Sequence, residues 1–174
     1  MEDLSPAFLT KLSMMGNELL LRQVNQTFLC SHRIPDTAFA PIRNWVRSLS
    51  LQHDCVMIGA LAGMERFVLR LLVEHRIPVV VVLAEALPKQ IEDVSIMVPD
   101  VELSKAMGEG RLLVLSANSD EEDVCATAAN AALRNQWMMD YARQIIVGYV
   151  SRQGRLFQQL KGRTGIHVLC APQD

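Results

Sequence analysis

Within Thr27-Phe28-Leu29-Cys30-Ser31-His32-Arg33-Ile34-Pro35 a short apolar run ends abruptly in a hydroxyl, an imidazole and a guanidinium. The first strand of a doubly wound sheet delivers ligand-binding groups to the loop at its carboxyl end in this way. Ser31, His32 and Arg33, together with free backbone N–H groups, suit an anion, and phosphate is the natural one. The pattern of apolar run followed by small polar residues returns at Val56-Met57-Ile58-Gly59, at Leu112-Leu113-Val114-Leu115-Ser116 and at Ile145-Ile146-Val147-Gly148. Gly59, Gly63 and Ser116 therefore join the candidates. The two glycines either let the backbone approach a phosphate ahead of the helix at Met64 or serve only a tight strand-to-helix turn.

Other chemistries lack their residues. The four cysteines, Cys30, Cys55, Cys125 and Cys170, are far apart and show neither CxxC spacing nor a histidine at ligand distance, so the reading is of buried reduced thiols without a metal. There is no GxSxG elbow, no HExxH and no Walker loop. No side chain stands out as a catalytic actor, no cofactor is implied, and a binding protein is favoured over an enzyme. The formal charge of −2 confines any nucleic-acid site to a local basic patch.

The elements that must position these residues are legible as alternating runs. The chain has 174 residues, half of them hydrophobic and 21% charged, as suits one domain over 1–174 whose sheet is covered on both faces. Ser5-Pro6 followed by Phe8, Leu9, Leu12 and Met15 predicts an N-terminal helix over about 5–16. Phe39, Ile42, Val46 and Leu49 form one helical stripe, with Pro41 in the first turn; Met64, Phe67, Val68, Leu71 and Leu72 form another. Val79 to Leu83 is a β-branched run that belongs in the middle of a parallel sheet. The acidic cluster Asp120 to Asp123 suits a helix N-terminus, and helix continues through the alanines towards Tyr141. The whole predicts a doubly wound parallel α/β sheet of about six strands between two helical layers, in the order 3-2-1-4-5-6. The switch point then falls between the loops after the first and fourth strands. An acidic N-terminus and a longest apolar run of only Ile77 to Ala84 predict a cytoplasmic protein that does not engage a membrane. The apolar composition and paired methionines Met14-Met15 and Met138-Met139 fit core packing and a homodimer.

Taken in order, Cys30-Ser31-His32-Arg33-Ile34-Pro35, Ile58-Gly59-Ala60-Leu61-Ala62-Gly63-Met64-Glu65, Val79 to Ala84, Glu109-Gly110-Arg111-Leu112-Leu113-Val114-Leu115-Ser116 and Leu133-Arg134-Asn135 resemble successive blocks of the DNA-processing protein A family. The resemblance spans roughly residues 26–170. It implies a Rossmann-like domain, distantly related to the Lonely Guy phosphoribohydrolases, binding single-stranded nucleic acid and tending to dimerise. It also implies a pocket role for Arg134 and Asn135, although such a pair can equally brace the long helix. The departures are specific. Cys30 stands where the family's first loop has glycine, Ser151-Arg152-Gln153-Gly154 retains one glycine of a Ser-Gly-Ser-rich turn, and the chain reads as a short stand-alone member without a winged-helix extension. The Pro-Gly-Gly-x-Gly-Thr motif of the phosphoribohydrolases is missing.

Three functions follow. The first is binding of a phosphate-containing ligand, a nucleotide or single-stranded nucleic acid, at the carboxyl ends of the strands. The second is nucleotide phosphoribohydrolysis, resting on fold relatedness alone. The third is a ligand-free scaffold that has kept the fold, for which Cys30 in place of glycine is the best support.

Overall fold

A computed structural model describes residues 12–60, 63–97, 102–116 and 127–172. Seven strands form one sheet: β1 (Ser13–Gly16), β2 (Gln26–Leu29), β3 (Val56–Ile58), β4 (Val79–Leu83), β5 (Leu112–Ser116), β6 (Gln144–Tyr149) and β7 (Ile166–Cys170). Their order is β1-β5-β4-β3-β2-β6-β7, with only β1 antiparallel to its neighbour. The helices are α1 (Leu20–Gln23), α2 (Phe39–Ser48), α3 (Gly63–Glu74), α4 (Ile91–Met97), α5 (Leu103–Gly108), α6 (Ala128–Tyr141) and α7 (Arg155–Leu160).

Strand alternation divides the core cleanly between two layers. Phe28, Val56, Ile58, Val79, Val81, Leu112 and Val114 face Ile42 and Val46 of α2, Val68 and Leu72 of α3, Val94 of α4 and Leu103 of α5. Leu29, Met57, Val80, Val82, Leu113 and Leu115 face Leu20 of α1, Met138 and Met139 of α6 and Leu156 of α7. Each strand of the central set buries both faces, which is why it reads as an unbroken apolar run. Val79 to Leu83, expected in the sheet interior, is at most 3% exposed and is paired on both sides. Both predicted helical stripes, that of α2 and that of α3, also face the core.

Two expectations need correction. The six strands foreseen from the sequence run 4-3-2-1-5-6, not 3-2-1-4-5-6, because α4 and α5 pack on the same layer as α3 and lay β5 beside β4. The winding reverses one step later, so the loops that part to opposite faces follow β2 and β6. The second correction concerns the N-terminus, where the helix foreseen over 5–16 falls partly outside the described residues. Its last part, Ser13–Gly16, is a seventh strand closing the edge beside β5. Met14 packs on the second core layer, and four residues of pairing with β5 outweigh a helical preference that so short a stretch cannot realise. The acidic cluster expected to open α6 also lies outside the described residues; the helix begins at Ala128, where the Thr127 hydroxyl accepts from the Asn130 N–H at 3.1 Å. Among the described residues no helix is long and apolar enough to cross a membrane.

Gly16 holds φ at +111°, and a Cβ there would lie 2.3 Å from the Leu112 carbonyl oxygen. Backbone strain of this kind costs about 1–3 kcal/mol before the clash is counted. Gly16→Ala is expected to lower the unfolding free energy by at least about 2 kcal/mol in urea titration. A loss within about 0.5 kcal/mol, what an inert surface change gives, would remove β1 from the folded edge.

Candidate functional site

At the reversal between β2 and β6 the chain stitches its two diverging loops together. The Ser31 N–H donates to the Tyr149 carbonyl at 2.9 Å, and the Ser31 hydroxyl accepts from the Ser151 N–H, also at 2.9 Å. The Ser31 side chain is thereby fixed at the junction of the β2 and β6 loops, and its own proton has no acceptor among the described residues. A hydroxyl held in this way can donate to an anion. His32 and Arg33 follow immediately and are exposed. Arg33 makes no ion pair among the described residues, so its charge is not already neutralised. Folds of this kind bind ligands in a crevice between carboxyl-end loops at the switch point, and here the switch point lies between the β2 and β6 loops rather than where the expected strand order put it.

A second cluster lies under the end of β3. Arg134 on α6 donates from Nη2 to Glu65 Oε1 on α3 at 2.8 Å, with both side chains about 5% exposed. Asn135 Oδ1 accepts from Arg134 Nη2 at 2.9 Å and from Nε at 3.2 Å. Arg134 Nη1 is buried without a hydrogen-bond partner among the described residues. The guanidinium lies so close over Gly59 that a Cβ there would stand 2.5 Å from Nη1 and 2.9 Å from Glu65 Oε1. Gly59 is required by this close approach. Arg134 thus ties the α6 layer to the α3 layer across the sheet's end, with Asn135 holding its guanidinium.

The remaining candidates separate. Gly63 opens α3, is exposed, and a Cβ there meets nothing within 4 Å. Ser116 is buried at the end of β5, where its hydroxyl donates to the Glu85 carbonyl at 2.6 Å. β5 stands three strands from β2, about 14 Å at ordinary strand spacing, so Ser116 does not join the crevice. Glu65 carries no mark of its role in the sequence, because its partner lies 69 residues away.

Cys30 sits between the two clusters. Burial pushes its thiol up from 9.0 to about 12 against a lowering hydrogen bond from the Tyr149 backbone, and the charges of Glu65 and Cys170 push it in the same direction as burial. The thiol stays protonated near neutrality and is no nucleophile. Glu65 is thus within electrostatic reach of the first loop. Among the described residues no group of histidine, cysteine and carboxylate side chains could hold a metal ion. A cleft of about 340 Å³ lined by Arg70, Arg76, Lys105, Arg111, Glu74 and Glu102 lies away from the crevice, towards the amino ends of β4 and β5, with its charges mixed.

No protein-family model matches the chain, and neither does any curated protein. Solved structures do. DNA processing protein A from Helicobacter pylori, described for its single-stranded DNA binding mode, superposes with a TM-score of 0.69 at 12% identity over 100% of this chain and 80% of that one. DNA processing protein A from Streptococcus pneumoniae gives 0.67 at 14% identity over 99% of this chain and 61% of that one. The chain therefore has the fold of these proteins and spans less than two thirds of the second.

Removing one partner of a buried charge pair costs about 3–5 kcal/mol, because the other is left uncompensated. Glu65→Ala and Arg134→Ala are each expected to lose stability on this scale in denaturant unfolding, with the double variant well short of the sum. Equal additive losses below about 1 kcal/mol, the value of an exposed pair, would show that the brace carries nothing. A thiol raised in the folded state stabilises fully below pH 9 and loses that contribution as pH rises towards 12. Cys30→Ala should accordingly flatten the alkaline decline of unfolding free energy between those values. A decline unchanged by the substitution would place the thiol in water.

Proposed function

We propose that this protein binds single-stranded nucleic acid by its phosphates at the crevice between the β2 and β6 loops. The observation that carries this reading is Arg33: an exposed guanidinium without an ion-pair partner among the described residues, next to a Ser31 hydroxyl fixed by the Ser151 N–H at 2.9 Å. Guanidinium binds phosphate through paired N–H donors, and Ser31 adds a donor of fixed direction. His32 extends the polar rim of the same loop. Gly59, Arg134 and Asn135 act as positioning residues that hold α3 and α6 against the crevice floor, and Gly63 leaves the start of α3 uncovered. The shared fold with proteins one of which is described as binding single-stranded DNA supports nucleic acid over a small anion.

Burial pushes the half-buried Cys30 thiol up to about 12, so it supports no thiolate chemistry near neutrality. Binding rather than hydrolysis of a nucleotide is the reading these groups support.

Losing a charge-assisted hydrogen bond costs about 1.5–3 kcal/mol. Arg33→Ala is expected to weaken binding of a fluorescent oligothymidine roughly tenfold to a hundredfold. Stability should change by less than about 0.5 kcal/mol, the residue being exposed. Ser31→Ala should weaken binding and also loosen the β2–β6 junction, which amide hydrogen exchange at Ser151 reads. Equal binding by the parent and Arg33→Ala, or by neither, would leave a scaffold that has kept the fold without the ligand.

A further inference from the structure

Six residues after Arg33 the chain enters α2, and at the rim of the α2–α3 layer, where Phe39 and Phe67 pack half-buried against the core, arginines lie over their rings in a ridge that the brace and the crevice do not use. Phe39 and Phe67 meet edge to face at 5.4 Å between centroids, with 78° between their planes. The Arg43 guanidinium lies 5.3 Å from the Phe67 centroid and 6.0 Å from that of Phe39, and Arg70 lies 5.6 Å from the Phe67 centroid. Phe39, Arg43 and Arg47 recur at i, i+4 and i+8 along α2, so they share one face. The two helices carry four arginines, Arg43, Arg47, Arg66 and Arg70, and one exposed acid, Glu74, which pairs with Arg70 at 3.8 Å, while Arg66 Nε donates to the Ala60 carbonyl at 3.2 Å. The other acid of α3, Glu65, is buried against Arg134.

The way these cations are held is informative. An ion pair fixes an arginine by cancelling its charge and occupying its N–H groups. A cation–π contact fixes it through the face of the guanidinium, leaving the charge and the in-plane donors available. Arg43 is exposed and has no ion-pair partner among the described residues. It is a pre-ordered cation with its donors free, and pre-ordering lowers the entropy lost when it grips a ligand. A net charge of −2 makes such a local concentration more telling than it would be on a basic protein. Because α2 and α3 start at the carboxyl ends of β2 and β3 and run back along the sheet, the ridge leads away from the crevice, and it ends at Arg70, beside the cleft of mixed charge that Glu74 and Glu102 also line.

We infer that the α2–α3 ridge is a second phosphate-binding track, on which Arg43 and Arg70, seated on Phe67, grip the backbone of a single strand that leaves the crevice. This rests on the crevice reading, and strand length separates the two. The test measures anisotropy of oligothymidines of about 4 and about 16 nucleotides, a span within the range of single-strand sites, for the parent, Arg33→Ala and the double variant Arg43→Ala/Arg70→Ala.

The double variant is expected to bind the longer strand at least about tenfold more weakly and the shorter one within about twofold of the parent. Its plot of log affinity against log salt for the longer strand should flatten by about 1.4, roughly 0.7 for each phosphate that is no longer neutralised. Arg33→Ala should weaken both lengths. Parental affinity and salt slope for the longer strand in the double variant overturn the track while leaving the crevice intact, and so does an equal loss at both lengths. A parent that binds neither length overturns the crevice reading, and the track with it. Should the double variant fail to fold, the single exposed change Arg43→Glu is used, with a loss in the same direction expected on the longer strand alone.

Discussion

The buried charge pair between Arg134 and Glu65 crosses the end of the sheet, and the arrangement around the crevice depends on it. α3 belongs to one helical layer and α6 to the other, so the pair joins two layers whose core clusters lie on opposite faces of the sheet. Two charges taken out of water carry a large desolvation cost, which only close geometry and added hydrogen bonds offset. Gly59 supplies the closeness by letting the guanidinium lie on bare backbone, and Asn135 supplies hydrogen bonds to Nη2 and Nε. One donor, Nη1, stays unmatched among the described residues, so the pair is better understood as fixing geometry than as a large net source of stability.

That pair also decides which charges are free to act. Glu65 and Arg134 neutralise each other in the interior, and basic residues near the amino ends of the strands are matched on the surface: Arg111 and Arg76 both meet Glu109, at 2.7 and 3.0 Å. What remains outside any ion pair among the described residues includes Arg33 at the crevice and Arg43 and Arg47 on α2. A whole-chain charge of −2 conceals this division, because it sums groups that are already cancelled with groups that are not.

Much of the fold is legible in the sequence because a parallel sheet buried on both faces writes itself as continuous apolar runs. Val79 to Leu83 and Leu112 to Leu115 could hardly belong to anything else. The order of the strands is not legible in the same way. Runs and crossovers show that strands are parallel, but whether β5 settles beside β4 or returns beside β2 depends on which layer α4 and α5 cover, and their sequence, broken by Pro88 and Pro99, gives no strong stripe. Ser116 enters the candidate site because its run repeats the pattern of an apolar strand ending in a small polar residue, and the observed order then sets it three strands from β2. Ser31 and Arg33 are legible because their loop follows β2 directly, whichever strand lies beside it. The brace is half legible: Gly59 and Arg134 stand out, whereas Glu65 is one charged residue on an amphipathic helix. The contact between Arg43 and Phe67 is hidden for the same reason, since each residue alone reads as an ordinary surface or stripe position.

Cys30 bears on how the proposed crevice would hold an anion. A glycine at the start of a crevice loop lets a phosphate rest on backbone N–H groups, whose dipoles are fixed and comparatively insensitive to salt. Here a side chain fills that space, and the Ser31 N–H beside it is already spent on the Tyr149 carbonyl. The backbone cradle is therefore reduced. On the proposed reading, an anion at this crevice would be held further out, by the Ser31 hydroxyl and by the guanidinium of Arg33, and its affinity would lean on exposed charge. Attraction of that kind is screened over about 8–10 Å at ordinary ionic strength, so a ligand with one phosphate is held weakly and one with many is favoured. If the proposed site binds in this way, a crevice built on side-chain charge would select for a polyanion, whereas one built on a glycine cradle would accept a single phosphate group as readily.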